Sequence, residues 1–455
     1  MRKISEVIQE LNLQDQSKDI LHRLMEDVHV GKVQESMIHL SDHSLQIGDK
    51  VFNVDQFPGV FIMAIGQAAP IMAEFVYHHL FLKGYKRPIE GCIFTNRVTK
   101  KVINNLNYYN SQHSRTDELS ESSTYKVIQE MNEYHKKGFH IIALLSDGAS
   151  ELLNLPETGV SLVDNIELNE HLMLSGIPLT DILTVKNHVS KVKAGKFIKL
   201  LQSYRASIFR MSHAIDKNDL DTGICSIEEN SYLDALNILR NADLVDKVPK
   251  SIINTLKNGV NKRIVDTLKQ AELDKLDICY LTVDNIETAL NNIQFVLEAN
   301  NAQVFIDHSD FAPTMKDAVE DCFENLIFTQ VKPDVSSACF LYHGLLKLDS
   351  KALDEKGRNQ RFCLQLGYRM IKAMFKNFEL MVFCSDGFDD ESGASGAFIN
   401  EAMFSTEEDI EFAEKCLEDN NSHEFFKQKN GLLNFGPTGA DPEDLVFLVC
   451  QRIKK

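Results

Sequence analysis

Several segments of this chain place glycine, serine and charged residues directly after an apolar run, an arrangement that can hold a phosphate or a carboxylate. In Ala64-Ile65-Gly66-Gln67-Ala68-Ala69-Pro70 the run reaches Gly66 and a helical pattern follows, with Pro70 suited to a first helical turn. The free N–H groups at such a start suit an anion. A tight strand-to-helix turn with no ligand would have the same sequence. In Ser146-Asp147-Gly148-Ala149-Ser150 the residues Ser146, Gly148 and Ser150 can line a phosphate together with the backbone. Asp147 repels a phosphate unless a cation intervenes, and it can instead cap the helix. The stretch Lys186-Asn187-His188-Val189-Ser190-Lys191-Val192-Lys193-Ala194-Gly195-Lys196 is a local basic patch. Its lysines fit a solvated helix face, although Lys186 precedes the run and can point elsewhere.

Further along, Gly357-Arg358-Asn359-Gln360 opens a helical pattern. A cation at a helix start opposes the dipole, so Arg358 makes sense if it shares an anion with the N–H groups. Cys384-Ser385-Asp386-Gly387-Phe388-Asp389-Asp390 ends another apolar run in small and acidic residues. Clustered carboxylates there suit magnesium, or else a turn with solvated acids. Gly436-Pro437-Thr438-Gly439-Ala440-Asp441 has the composition of a loop that borders a cleft. The histidines show no metal-ligand spacing, and neither a G-x-S-x-G elbow nor a Walker A loop is present.

The elements that must carry these segments are short apolar strands alternating with longer helical patterns. Strands are expected at 60–65, 91–95, 140–145, 207–211, 278–283, 303–306, 338–342, 380–384 and 445–450. Most are continuous apolar runs, the pattern of strands buried on both faces, and intervening helices indicate βαβ units. The expected fold class is α/β, with two domains whose mostly parallel, Rossmann-like sheets are flanked by helices. Residues 1–270 and 271–455 are the expected domains, divided in a polar helical stretch.

A length of 455 residues suits two cores, and 44% hydrophobic with 25% charged residues is an ordinary globular balance. The charged, helically spaced N-terminus (Ile4, Val7, Ile8, Leu11) reads as an amphipathic surface helix, not a signal peptide, and no apolar run is long enough to cross a bilayer. A net charge of -18 argues against nucleic-acid binding. Nine cysteines without a C-x-x-C pair, several inside apolar runs, read as buried thiols in a reducing, cytoplasmic setting.

The order of these segments resembles the class II glycerate kinases, whose C-terminal part is the MOFRL domain. The family's G-x-G-K-A turn is similar to Ala64–Ala68, its S-G-G-G-S-A-L-L to Ser146–Leu153, and its N-x-V-R-K-H-L-S-x-V-K-G-G to the segment running through Lys186 to Gly195. G-R-N-Q matches Gly357–Gln360, T-D-G-x-D-G resembles Ser385–Asp390, and G-P-T-G-T-N-x-x-D-L resembles Gly436–Leu445. The resemblance implies transfer of a phosphoryl group from ATP, with Mg2+, to glycerate or a related hydroxy acid in a cleft between the domains. It assigns Arg358, Lys186 and Asp386 to catalysis, with Asp386 also at the metal. Gly66, Ser146, Gly148, Ser150, Gly436 and Thr438 go to the nucleotide, and Asn359 and His188 to the substrate. The partner expected is a small-molecule substrate, with no nucleic acid and no membrane; a homodimer is compatible with it.

Departures accompany the matches. The family's early lysine is Gln67, its H-P-x-P-D region corresponds to Gln112–Asp117, and its S-D-V-x-G-D segment to Ser212–Lys217. Its S-G-G-E stretch has become Tyr342-His343-Gly344-Leu345. A lost transition-state charge contact costs about 3–4 kcal/mol. Three expectations therefore stand: an active kinase, a catalytically impaired relative that binds a nucleotide or metabolite as a regulator or partner, and a related transferase. Lys217 or Lys347 are candidates to restore the charge missing at Gln67.

Overall fold

A computed structural model describes residues 4–29, 34–35, 37–97, 102–111, 118–211, 223–283, 285–348, 356–440 and 442–451. Two compact units are present: Met1–Val33 with Asp284–Lys455, and Gln34–Val283. The segments Gln112–Asp117 and Ser212–Lys217, together with Asp441, lie outside the described residues.

Helices α1 (Ile4–Glu10) and α2 (Asp15–Asp27) open the chain. Ile8, Leu21, Leu24 and Met25 are buried in the core of the unit that holds the C-terminal half. The Gln34–Val283 unit starts with a small antiparallel sheet of β1 (Ile38–Leu40), β2 (Ser44–Ile47) and β3 (Lys50–Asn53). Its main sheet is parallel throughout: β4 (Val60–Ile65), β5 (Ile89–Thr95), β6 (Leu106–Asn110), β7 (His140–Leu145), β8 (Ala206–Met211) and β9 (Cys279–Val283), in the order β6-β5-β4-β7-β8-β9. Every residue of β4 and β7 is buried, which is why both read as unbroken apolar runs. Helices α3 (Ala69–Leu82) and α4 (Glu118–Lys136) connect these strands. The one-turn helix α5 (Ala149–Leu152) follows β7. Next come α6 (Leu162–Leu174), α7 (Leu179–His188), α8 (Lys196–Leu201), α9 (Tyr232–Asn241) and α10 (Lys250–Val260). Leu168, Val185, Leu236 and Leu256 from four of these helices share a core separate from the sheet's.

The chain runs outward from β4 to β6 and then returns to the other side of β4 with β7, so strand order reverses between β4 and β7. Open parallel sheets bind ligands at the carboxyl ends of the strands beside such a reversal. Here the two strands lead into Gly66 and Ser146. Gly66 has φ +124°, and a Cβ on it would meet Ser146 Oγ at 2.3 Å and Ser146 O at 2.6 Å. Gly66→Ala is therefore expected to lower stability by about 2–4 kcal/mol, from strained backbone plus overpacking against a neighbouring main chain. Urea denaturation against the wild type checks this, and an unchanged midpoint would contradict it.

The second unit continues with α11 (Asn285–Ala299), β10 (Ala302–Asp307), α12 (Met315–Phe328), β11 (Ser337–Gly344), α13 (Arg358–Lys372), β12 (Phe378–Cys384) and β13 (Gly396–Asn400). It closes with α14 (Glu407–Glu418), α15 (Ser422–Gln428), β14 (Leu432–Leu433) and β15 (Asp444–Gln451). The sheet order is β10-β11-β15-β12-β13-β14. Only β10 and β11 pair in parallel; the other neighbours are antiparallel. The α/β class with two domains holds, while the expectation of mostly parallel strands applies to the six-stranded sheet of the Gln34–Val283 unit alone. Burial on both faces makes residues 380–384 of β12 and 445–449 of β15 continuously apolar whichever way the strands run, so these runs do not report direction.

The compact units also differ from a division at 270/271 in two ways. β9 pairs in parallel with β8 from Ser207↔Cys279 to Met211↔Val283, which carries the first unit to Val283. At the other end α1 and α2 belong with the C-terminal half, because their apolar side joins Ile286, Ala289 and Ile293 of α11 in one core. The Glu379 carboxylate of β12 accepts the Gln14 N–H at 3.0 Å, fixing the start of α2. Among the described residues, no helix is long and apolar enough to cross a membrane.

Candidate functional site

In the Gln34–Val283 unit the loops after β4, β5 and β7 are tied together. Ser146 Oγ accepts the Ala68 N–H at 3.0 Å, and Gln67 N–H donates to Asp147 O at 2.8 Å. Gly148 takes φ +78° and caps α5, with Ser146 and Ser150 buried beside it. Gln67 stands between two charges: Arg97 Nη2 donates to its Oε1 at 2.5 Å, and its Nε2 donates to Asp147 Oδ2 at 2.9 Å. Arg97 lies two residues beyond the end of β5, its N–H bonded to Thr95 Oγ1 at 3.1 Å. A guanidinium is thus held at the carboxyl edge of the sheet, beside a neutral side chain. Motif reading missed Arg97, because no spacing rule connects a residue after β5 with the turn after β4.

The basic patch separates into distinct roles. An antiparallel pairing between Pro156 and Ser190, with Lys191 N–H donating to Leu155 O at 2.8 Å, lays the segment after α7 against the segment after α5. Lys196 turns inward, its Nζ bonded to Ser190 O at 2.6 Å and Tyr232 OH at 3.1 Å, with Glu157 3.4 Å away. Lys186 and Lys193 are half-buried and, among the described residues, neither Nζ has a hydrogen-bond or ion-pair partner. Burial lowers the pKa of Lys186, with Glu151 pulling the other way. Burial pushes Lys193 down to about 8, Lys186 adds to this, and Glu151 opposes it. Two mutually repelling cations are thus kept half-buried beside α5, with the Glu151 carboxylate of that helix acting on both. Lys193 is a second residue that motif reading passed over, since a lysine in a basic run looks like any other.

This arrangement carries a pH dependence. Between about pH 8 and the ordinary 10.5 for lysine, the unfolded chain keeps the Lys193 proton and the folded chain does not. The unfolded state then binds more protons, so stability rises with pH across that window, by about 1–2 kcal/mol after solvent screening. Anion binding should weaken across the same window as Lys193 loses its charge. Denaturation midpoints and ADP titrations at pH 7.5 and 9.5, wild type against Lys193→Met, check both signs.

His188, expected at the substrate, is fully buried. Its Nδ1 lies 2.7 Å from Thr184 O, and its ring packs edge-on to Tyr232 at 4.7 Å. It therefore packs in the helical core and exposes no surface.

In the other unit the start of α13 is occupied by the chain's own carboxylates. Fully buried Asp389 accepts four donors: Asn359 N–H at 2.9 Å, Asn359 Nδ2 at 3.1 Å, Gln360 N–H at 3.0 Å and Gln360 Nε2 at 2.9 Å. Burial pushes its carboxyl up to about 6, against the pull of those donors. Arg358 Nε donates to Asp444 Oδ2 at 2.7 Å, and Asn359 Nδ2 to Asp444 Oδ1 at 2.7 Å. Burial raises the Asp444 pKa, while Arg358 and Asn359 act to lower it. Arg358 Nη1 and its backbone N–H both bond Asp390, the latter at 2.9 Å. Asn359 is thus wholly internal, while Arg358 is held from two sides.

Asp386 is buried, and its Oδ1 accepts the Phe388 N–H at 2.8 Å. Thr438, expected at the nucleotide, is fully buried; its hydroxyl donates to Ser385 O at 2.6 Å and accepts the Ala440 N–H at 3.0 Å. Its side chain clasps two loops of the fold and has no exposed surface. Gly436 packs its carbonyl 1.9 Å from where a Cβ on Gly387 would lie, and lines a cavity of about 540 Å³ with Val7, Leu11 and Phe388. Sequence reading also missed a chain of polar groups that runs from the interior to the surface: buried Glu443 Oε1 lies 2.7 Å from buried His343 Nδ1, and His343 Nε2 lies 3.2 Å from Nδ1 of exposed His308.

Residues 16–257 match the family described as a domain of unknown function (DUF4147), and residues 340–444 match the MOFRL family. A glycerate 2-kinase of Pyrococcus horikoshii is 25% identical over 90% of this chain and 91% of its own. A D-glycerate 2-kinase of Thermotoga maritima is 25% identical over 85% of this chain and 90% of its own. A crystal structure of a Pyrococcus horikoshii protein superposes with a TM-score of 0.76 at 21% identity, covering 100% of both chains. With both of its regions matched in family order, the chain belongs to the class II glycerate kinase (DUF4147–MOFRL) family, as a divergent member.

Proposed function

We propose that this protein is an ATP-dependent kinase acting on the 2-hydroxyl of glycerate or a related small hydroxy acid. The observation that carries this reading is the pair of half-buried lysines, Lys186 and Lys193, without direct ion-pair partners and within electrostatic reach of Glu151 in α5, the helix that follows β7. Half-buried cations without direct ion-pair partners lose solvation and repel each other, only partly offset by Glu151, and a polyphosphate relieves both penalties. The relatives' names supply the acid: they are glycerate 2-kinases.

In this reading Lys186 and Lys193 bind phosphoryl oxygens, and Gly66, Gly148 and the Ser146 and Ser150 hydroxyls let the chain approach them. Arg97 brings the positive charge that Gln67 lacks. Arg358 grips a carboxylate or the transferring phosphoryl group with its fork. Phosphoryl transfer asks the protein mainly for position and charge. Magnesium, when bound, draws charge from the phosphoryl oxygens. Asp386 fits it as the one or two carboxylates that accompany waters and phosphates in such sites. Among the described residues no three His, Cys, Asp or Glu side chains gather into a larger cage. Eight buried free cysteines suit a reducing compartment, the cytoplasm.

Incubation with MgATP and D-glycerate, followed by phosphorus NMR, is the test: ADP and 2-phosphoglycerate should appear in equal amounts. Absence of ATP consumption with glycerate and with other 2-hydroxy acids would sink the kinase reading. A second reading, a relative that binds without turnover, is favoured by one observation, the hold of Asp390 on Arg358. Its signature is ADP binding by calorimetry with no product.

A further inference from the structure

The first turn of α13 offers three backbone N–H groups and the Arg358 guanidinium, the donors that anions take at helix starts. All of them face carboxylates of the same chain. Asn359 N–H and Gln360 N–H go to Asp389, which is fully buried and held by two side-chain amides as well. Arg358 is different. Its Nε faces buried Asp444, while its Nη1 and its own N–H are bridged by the two oxygens of Asp390. One carboxylate spanning a guanidinium and a helix N–H is how a bound carboxylate or phosphate would sit.

Asp390 differs from Asp389 and Asp444 in three respects. Its side chain is 31% exposed, whereas that of Asp444 is 0% exposed. Among the described residues its side-chain hydrogen bonds all go to Arg358, so a single rotation about its side chain releases the seat. Its backbone sits at φ +51°, a conformation that glycine adopts freely and that aspartate tolerates. In the resembling T-D-G-x-D-G pattern this position is a glycine, so the carboxylate is an addition to the motif.

We propose that Asp390 is an internal oxyanion that occupies the anion seat of Arg358 and is displaced by the carboxylate or phosphoryl group that binds there. This rests on the reading of Arg358 as an anion-gripping residue. The consequence is selectivity: only a ligand that binds Arg358 better than a tethered carboxylate gains access. A seat filled roughly 90% of the time by its own side chain weakens apparent affinity about tenfold.

The test is calorimetry on the full chain with D-glycerate, ADP and inorganic phosphate titrated separately into the wild type, Asp390→Asn and Asp390→Gly. Asparagine removes the charge and keeps the shape; glycine suits the backbone. The ligand that uses the seat should bind about tenfold tighter to both variants, and the others no tighter, which tells carboxylate from phosphate. The gain should vanish in Arg358→Lys/Asp390→Asn. Tighter binding is an outcome that damage to the fold does not mimic. If the wild type binds glycerate or ADP and neither variant binds any of the three more tightly, the internal oxyanion is overturned and the kinase reading stands. If no form binds any of them, both are overturned.

Discussion

Arg358→Ala is expected to destabilise the unit that contains α13 by about 3 kcal/mol, because it strands a fully buried carboxylate. Asp444 is 0% exposed and keeps only Asn359 Nδ2 at 2.7 Å and Leu346 N–H at 2.8 Å once the guanidinium is gone. Removing one partner of a buried pair costs far more than the pair itself is worth, since the remaining charge has no water. Asp444→Ala should cost a similar amount from the other side, leaving Arg358 with Asp390 alone. Arg358→Met with Asp444→Leu should therefore recover part of the loss, and a double-mutant cycle in urea would measure the coupling. Two single losses that simply add in the double variant would show that the pair is not the mechanism. Activity lost in Arg358→Ala must accordingly be read against stability, and Arg358→Lys, which keeps charge without the fork, separates the two.

Lys186→Ala with Lys193→Ala should behave in the opposite way. Neither lysine has a partner to strand, and removing both relieves a repulsion between half-buried cations. Stability should stay level or rise, while turnover with MgATP falls by about 10²–10³-fold, the usual cost of removing charge donors from a transferring group. Each single variant should lose less, and Lys193→Arg should hold its activity at pH 9.5, where the wild-type Lys193 has lost its proton. A double variant that keeps wild-type turnover would remove these lysines from the reaction. The contrast is physical: Arg358 is already compensated by the fold, whereas Lys186 and Lys193 are not.

Much of the fold was legible in the sequence. Runs such as Val60–Ile65 and His140–Leu145 are apolar at every position, and only burial on both faces produces that pattern. Gly66, Ser146 and Gly148 stood out because a tight turn after a buried strand needs residues of their kind. Strands with a solvent face or little length were not legible: β6 has the pattern of a half-exposed edge, and β14 is two residues long. The N-terminal helix showed its amphipathic spacing, but the core to which its apolar side belonged, 280 residues later in the chain, left no local mark.

What the sequence determined by itself was the inventory: α/β elements, the family motifs in order, and which side chains carry charge near each strand end. Local chemistry is enough for that, because turn geometry and two-sided burial act over a few residues. What only the tertiary structure decided was the state of each charge. Gln67 became neutral filling between Arg97 and Asp147, and His188 and Thr438 turned inward. Asp390 closed on Arg358, while Lys186 and Lys193 were left without a direct ion-pair partner. The reason is that pairing and desolvation depend on distances between residues far apart in the chain, and spacing along a sequence does not encode those distances.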